Sequence, residues 1–132
     1  MDKAPIIMVV EDDPLVSDLL RTFLRSEGFS VVDAGDGVSA LRLLEKRTPD
    51  LILMDIIMPG LNGVALLNLV RRRSNVPIIM MTAISDPVFI ENALADGADD
   101  YVTKPFVLPD LKGRIEAKLG RSGSGGGRSS SQ

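Results

Sequence analysis

The sequence predicts an α/β fold in which a parallel sheet is covered by helices on both faces, and three observations carry the prediction. Five short apolar runs alternate along the chain with five stretches whose apolar residues recur at helical spacing. Several runs are apolar at consecutive positions rather than at every second one, the pattern of strands buried on both faces. Pro, Gly, Asn or acidic residues punctuate the runs, and these end strands or start helices.

The first strand is Ile6-Ile7-Met8-Val9-Val10, after Pro5. It runs into Glu11-Asp12-Asp13-Pro14, whose acids suit the positive end of a helix and whose proline suits its first turn. Leu15, Val16, Leu19, Leu20, Phe23 and Leu24 mark that helix, and Gly28 stops it. Val31-Val32 is the centre of a short second strand. Asp36-Gly37 then turns the chain into a helix with Val38, Leu41 and Leu44 on one face, and Thr48-Pro49-Asp50 ends it.

The third strand is Leu51-Ile52-Leu53-Met54-Asp55, four apolar residues that run into one carboxylate before Pro59-Gly60 breaks the chain. Asn62-Gly63 starts the third helix, with Val64, Leu67 and Val70 inward and Leu66 and Leu69 widening the stripe into a broad core face. Its end carries Arg71-Arg72-Arg73, read as cations at the negative end of the helix dipole. Ile78-Ile79-Met80-Met81-Thr82 continues the fourth strand from Val76-Pro77, and Asp86-Pro87 caps a fourth helix that ends at Gly97. Tyr101-Val102-Thr103 is a short fifth strand before Lys104-Pro105-Phe106, and Leu111, Ile115 and Leu119 define the fifth helix. Periodicity leaves the strand order open between the two commonest doubly wound arrangements.

The chain of 132 residues suits one domain, expected over residues 1–119. From Gly120 to Gln132 it is rich in Gly and Ser, the composition of a flexible tail or linker. Two of the 15 basic residues, Arg121 and Arg128, lie in that tail, so residues 1–119 hold 18 acidic against 13 basic residues, a balance of −5. That balance argues against direct nucleic-acid binding by this domain. No apolar run approaches the ~20 residues of a membrane span and the N-terminus lacks a signal pattern, so a cytoplasmic location is expected.

The sequence contains no Cys and no His. Disulfides, thiol nucleophiles, Cys/His zinc sites and imidazole acid–base schemes are thereby excluded. In a shared parallel sheet the carboxyl ends of the strands bring together Glu11, Asp12 and Asp13, then Asp55, Thr82 and Lys104. Clustered carboxylates repel one another and call for a cation, and oxygen-only ligands suit Mg²⁺, with Mn²⁺ as the alternative ion. A lysine and a hydroxyl facing them suit a phosphoryl group, with Asp55 as the nucleophile.

Four segments carry a resemblance: Val9-Val10-Glu11-Asp12-Asp13-Pro14, Leu53-Met54-Asp55-Ile56-Ile57-Met58-Pro59-Gly60, Met81-Thr82-Ala83, and Gly97-Ala98-Asp99-Asp100-Tyr101-Val102-Thr103-Lys104-Pro105-Phe106. In this order, and over residues 5 to 119, the chain resembles the CheY-like receiver domain of a bacterial two-component response regulator. The resemblance implies a flavodoxin-like strand order of 2-1-3-4-5. It implies that Asp55 accepts a phosphoryl group from a sensor histidine kinase or phosphotransfer protein. It further implies that Asp12, Asp55 and the Ile57 backbone carbonyl ligate Mg²⁺, with Glu11 acting through water and Asp13 outside the set. Lys104 and Thr82 then bond the phosphoryl oxygens, and Tyr101 relays the change to the fourth helix, fifth strand and fifth helix, as a phosphorylation switch rather than a turnover enzyme. The Lys104–Pro105 bond is expected to be cis.

Ile57 and Ile84 are apolar where relatives often carry polar side chains, which implies slow loss of the phosphoryl group. Asp100, Asp110 and Arg114 fit charged positions of a homodimer through the fourth helix, fifth strand and fifth helix, with Ile90 in the place of a basic residue. An aspartate-dependent phosphohydrolase would want a second acid at Ile57. A receiver-like domain acting without phosphorylation would have little use for the full set of Glu11, Asp12, Asp55, Thr82 and Lys104.

Overall fold

A computed structural model describes residues 3–122. The elements alternate as β1 (Ile6–Val10), α1 (Pro14–Ser26), β2 (Ser30–Ala34), α2 (Gly37–Lys46), β3 (Leu51–Asp55), α3 (Gly63–Arg71), β4 (Ile78–Thr82), α4 (Pro87–Ala95), β5 (Asp100–Thr103) and α5 (Leu108–Ser122). All four pairings are parallel and the order is β2-β1-β3-β4-β5, which agrees with the flavodoxin-like expectation. The chain reverses direction across the sheet between β1 and β3, so their carboxyl ends flank the crevice where such sheets hold ligands.

The consecutive apolar residues of the central strands divide between two cores. Met8, Val10, Ile52, Met54, Ile78 and Met80 pack on one face against α2, α3 and α4. Ile7, Val9, Leu51, Leu53, Ile79 and Met81 pack on the other against α1 and α5. Period-two alternation is therefore present in space, although both sets of side chains are apolar.

Asp13, Asp36, Asn62 and Asp86 each accept a backbone N–H from the helix that follows, so four of the five strand-to-helix turns end in a side-chain cap. The α3 face is core at Leu66, Leu67 and Val70, which are buried, whereas Leu69, expected to widen it, is only half-buried.

Three apolar positions differ from their expected burial. Leu15 is 78 % exposed, Leu19 is 49 % and Val38 is 51 %. α1 is covered on one side, by the stripe through Val16, Leu20, Phe23 and Leu24, and Leu15 and Leu19 share the outward stripe at i, i+4. In α2 the inward positions are Gly37 and Ala40 with Leu41, Leu43 and Leu44, which leaves Val38 outside. α5 also continues to Ser122, three residues beyond the boundary set by composition, because an established helix propagates at little cost. Residues 123–132 of the expected tail lie outside the described residues.

Candidate functional site

Asp55 is the last residue of β3, and its carboxylate is fixed from two directions. Its Oδ1 accepts the Ile57 N–H at 3.1 Å and its Oδ2 accepts from Lys104 Nζ at 2.9 Å. Gly63 makes the turn beyond it workable: a Cβ there would lie 2.3 Å from the Asp55 carbonyl oxygen, so only glycine lets α3 start this close beneath the strand.

Glu11 follows β1 and is almost fully buried. Its Oε1 accepts from Lys104 Nζ at 2.9 Å and its Oε2 accepts the Asp13 N–H at 3.1 Å. Lys104 thus bridges the ends of β1 and β3 from just beyond β5, and the Lys104–Pro105 peptide is cis. Exposed Asp12 completes the set: Glu11, Asp12 and Asp55 each offer a carboxylate oxygen, all within 4.8 Å of one another. Asp13 is not in this group and caps α1 instead.

The electrostatics are lopsided. Three carboxylates face one ammonium. Burial raises the Glu11 carboxyl above its ordinary range, and the Asp55 charge adds to this while Lys104 and the Asp13 backbone oppose it. Burial would lower the Lys104 pKa, but the hydrogen bonds to Asp55 and Glu11 outweigh it and hold the ammonium above its usual value. The oxygen-only donor set with surplus negative charge fits a hard divalent cation.

Thr82, fully buried, ends β4. Its Oγ1 accepts the Ile84 N–H at 3.4 Å. Tyr101 of β5 is buried and donates its hydroxyl to the Ile84 carbonyl at 2.9 Å. Burial raises the Tyr101 pKa, with the Asp55 charge contributing. Both backbone polar groups of Ile84 are therefore held by the two residues expected to switch. Its side chain shares with Ile57, Val64 and Phe89 a cavity of about 340 Å³.

Residues 7–116 match the model of the response regulator receiver domain family. The chain belongs to that family. As a receiver domain it is a phosphorylation-activated signalling module of two-component systems. It is 44 % identical over 116 residues to the DNA-binding response regulator MtrA of Mycolicibacterium smegmatis, covering 88 % of this chain and 51 % of that one. To the transcriptional regulatory protein CseB of Streptomyces coelicolor it is 41 % identical over 121 residues, covering 92 % of this chain and 52 % of that one. The receiver domain spans about half the length of these curated relatives.

Among solved structures, a two-component response regulator from Clostridium difficile superposes with a TM-score of 0.87 at 32 % identity, over 91 % of this chain and 99 % of that one. The receiver domain of sensor histidine kinase PA1611 from Pseudomonas aeruginosa has a TM-score of 0.81 at 34 % identity, over 89 % and 98 %, and holds a magnesium ion in its active site cleft. Among the described residues of the present receiver, no helix is long and apolar enough to cross a membrane.

One contributor to the architecture was not legible beforehand. Arg71 does more than face a helix dipole: it bonds the Gly97 and Ser74 carbonyls and Asp99. Its partners lie up to 28 positions away, and no periodic pattern points to them.

Proposed function

We propose that Asp55 is the phosphoacceptor of this receiver, taking a phosphoryl group from a phosphohistidine on a sensor histidine kinase or phosphotransfer protein. The observation that carries the reading is the pairing of Lys104 Nζ with Glu11 and Asp55, each at 2.9 Å, beside a third carboxylate on Asp12. Asp12, Asp55 and the Ile57 backbone carbonyl would hold Mg²⁺, or Mn²⁺ in its place, with Glu11 acting through water. A bound Mg²⁺ would neutralise the phosphoryl oxygens as charge builds on them.

An Asp55 carboxylate oxygen forms the new bond to phosphorus as the bond to the donor nitrogen breaks. The Lys104 ammonium, steadied by Glu11 on its far side, takes one phosphoryl oxygen. The Thr82 hydroxyl donates to another. That draws on the Ile84 N–H bond it accepts at present, and Tyr101, bonded to the Ile84 carbonyl, transmits the change to α4, β5 and α5. Phosphorylation shifts the balance between two arrangements of that surface, which makes the receiver a switch that phosphorylates and dephosphorylates itself rather than a turnover enzyme.

Hydrolysis requires water to attack phosphorus and release Asp55. The side chains of Ile57 and Ile84 line the adjoining cavity with no base among its lining side chains, which supports a long-lived phosphorylated state. The same absence of an acid at residue 57 disfavours a phosphohydrolase.

A cytoplasmic site of action belongs with this reading. So does an output reached through another domain or partner, with no direct nucleic-acid contact by this domain. A homodimer through α4, β5 and α5 would have to contend with Arg114, which already pairs with Asp100 at 2.8 Å and Asp110 at 3.0 Å inside one chain.

Incubation with Mg²⁺ and a small phosphodonor is expected to add one phosphoryl mass to the wild type and none to Asp55→Asn. Equal labelling of the two would defeat the proposal. Size-exclusion elution of the phosphorylated protein tests the dimer.

A further inference from the structure

α4 is held unevenly along its length. At its C-terminal end, Arg71 divides one guanidinium among three acceptors: Nε to the Gly97 carbonyl at 2.9 Å, and the two terminal nitrogens to the Ser74 carbonyl at 3.2 Å and Asp99 Oδ2 at 2.8 Å. Asp99 Oδ2 also accepts the Ile78 N–H at 2.8 Å, and the Asp99 N–H returns to the Ile78 carbonyl at 2.8 Å. Gly97 has φ +119°, and a Cβ there would approach the Arg71 stem to 3.0 Å. One partly buried cation therefore joins the end of α3, the start of β4 and the turn leaving α4.

The other end of α4 rests on the core through the half-buried Phe89 and Ile90 and, among the described residues, has no polar fastening like that of Arg71. Asp86 caps it from within its own loop, and Val88 is 62 % exposed. The Tyr101 hydroxyl reaches that loop from β5 at the Ile84 carbonyl, and within the turn the Ile84 N–H makes a long bond to Thr82. Along α4 itself the buried residue is Ala93, in the C-terminal half, while Phe89 and Ile90 are half-buried.

We propose that Arg71 is a positioning residue that pins the C-terminal end of α4, so that switching swings the N-terminal half of the helix about this pin. The signal enters at Ile84, next to the free end. Displacement is largest at residues 84–90 and fades by Ala93. The pin fixes which part of the output surface changes. Only the activated state in this picture rests on Asp55 as the phosphoacceptor, since the pin itself is present without phosphate.

Hydrogen exchange read by mass spectrometry on the whole chain tests this, with and without Mg²⁺ and beryllium fluoride. In Arg71→Gln without the activator, exchange over residues 93–99 is expected to rise about tenfold or more, the change set by losing a charged hydrogen bond, while β1 and β3 keep wild-type rates. With the activator, wild type should respond over residues 84–90 and stay unchanged over 93–99, whereas in Arg71→Gln the response should extend through 93–99.

Wild-type protection over 93–99 in Arg71→Gln, or an equal loss across the whole sheet, would overturn the pin. So would an activator response in wild type as large at 93–99 as at 84–90. Should Arg71→Gln not fold, Arg71→Lys keeps the charge but loses the fork, and the same local rise is expected of it, with wild-type protection there counting against the pin. Fluorine NMR of bound beryllium fluoride reads the acceptor separately: no binding would refute Asp55 as acceptor and leave the activator-free result to decide the pin.

Discussion

At each edge of the sheet a cation is set among oxygen atoms, and the two sites differ in charge balance. At the amino edge, Arg71 faces one carboxylate and two carbonyls. Its charge is matched by Asp99 and each of its three nitrogens is bonded, so the arrangement holds chain segments together. At the carboxyl edge, Lys104 faces Glu11 and Asp55 with Asp12 close by, and negative charge is left over. A matched site is a fastener. An unmatched one is prepared for a further cation and for a group that brings its own oxygens. Similar side chains thus serve architecture at one edge and chemistry at the other, and the difference lies in the count of carboxylates.

The largest stability effect expected from this contrast is at Lys104. Glu11 and Asp55 have side chains only 1 % and 7 % exposed, and Lys104→Ala leaves them buried together without their cation. The expected loss in metal-free protein is about 3–5 kcal/mol, read from denaturant unfolding. Added Mg²⁺ should recover part of it, since a ligand of the native state at a hundred times its Kd contributes about 2.7 kcal/mol. A metal-free Lys104→Ala protein as stable as wild type would mean that the carboxyl edge is not over-supplied with charge.

The carboxyl edge was readable in the sequence and the amino edge was not, for a physical reason. Glu11, Asp55, Thr82 and Lys104 each stand where an apolar strand ends, and strand ends are visible as the place where hydrophobicity stops. Parallel pairing then brings those ends together whatever the loops do. The order 2-1-3-4-5 was not visible in the periodicity, because central strands that are apolar on both faces pair equally well in several orders; it came from the resemblance. Arg71 and Asp99 meet through loops and side-chain reach, with no local pattern to announce the contact. Leu15 and Leu19 misled for the opposite reason: helical spacing marks apolar residues, but the chain alone does not tell which side of a wide stripe the sheet will cover.

A kinetic effect of moderate size sharpens the chemical half of the contrast. The Ile57 N–H bonds the acceptor carboxylate and the Ile84 N–H bonds Thr82, and both residues line the adjoining cavity. Replacing them with Asn and Glu places polar atoms where water could be oriented toward phosphorus. Dephosphorylation is expected to speed up about tenfold, less than a fully positioned general base supplies. The measurement is the decay of phosphorylated protein after the donor is removed, and an unchanged rate would show that the apolar wall does not govern the lifetime.

The smallest effect expected lies on the outer stripe of α1, which begins at the carboxyl edge beside Asp12 and Asp13. Leu15 and Leu19 are exposed and belong to neither core cluster, whereas Leu20 is wholly enclosed. Leu15→Gln and Leu19→Gln should therefore each shift the unfolding free energy by no more than about 0.5 kcal/mol. Leu20→Ala removes packing that the helix cannot rebuild, at a cost of about 2–5 kcal/mol. The contrast matters because the outer stripe runs away from the reacting carboxylates: if either Gln variant cost as much as the Leu20 change, the outer stripe of α1 would have to be covered, and the carboxyl edge would not stand open to a phosphodonor from that side.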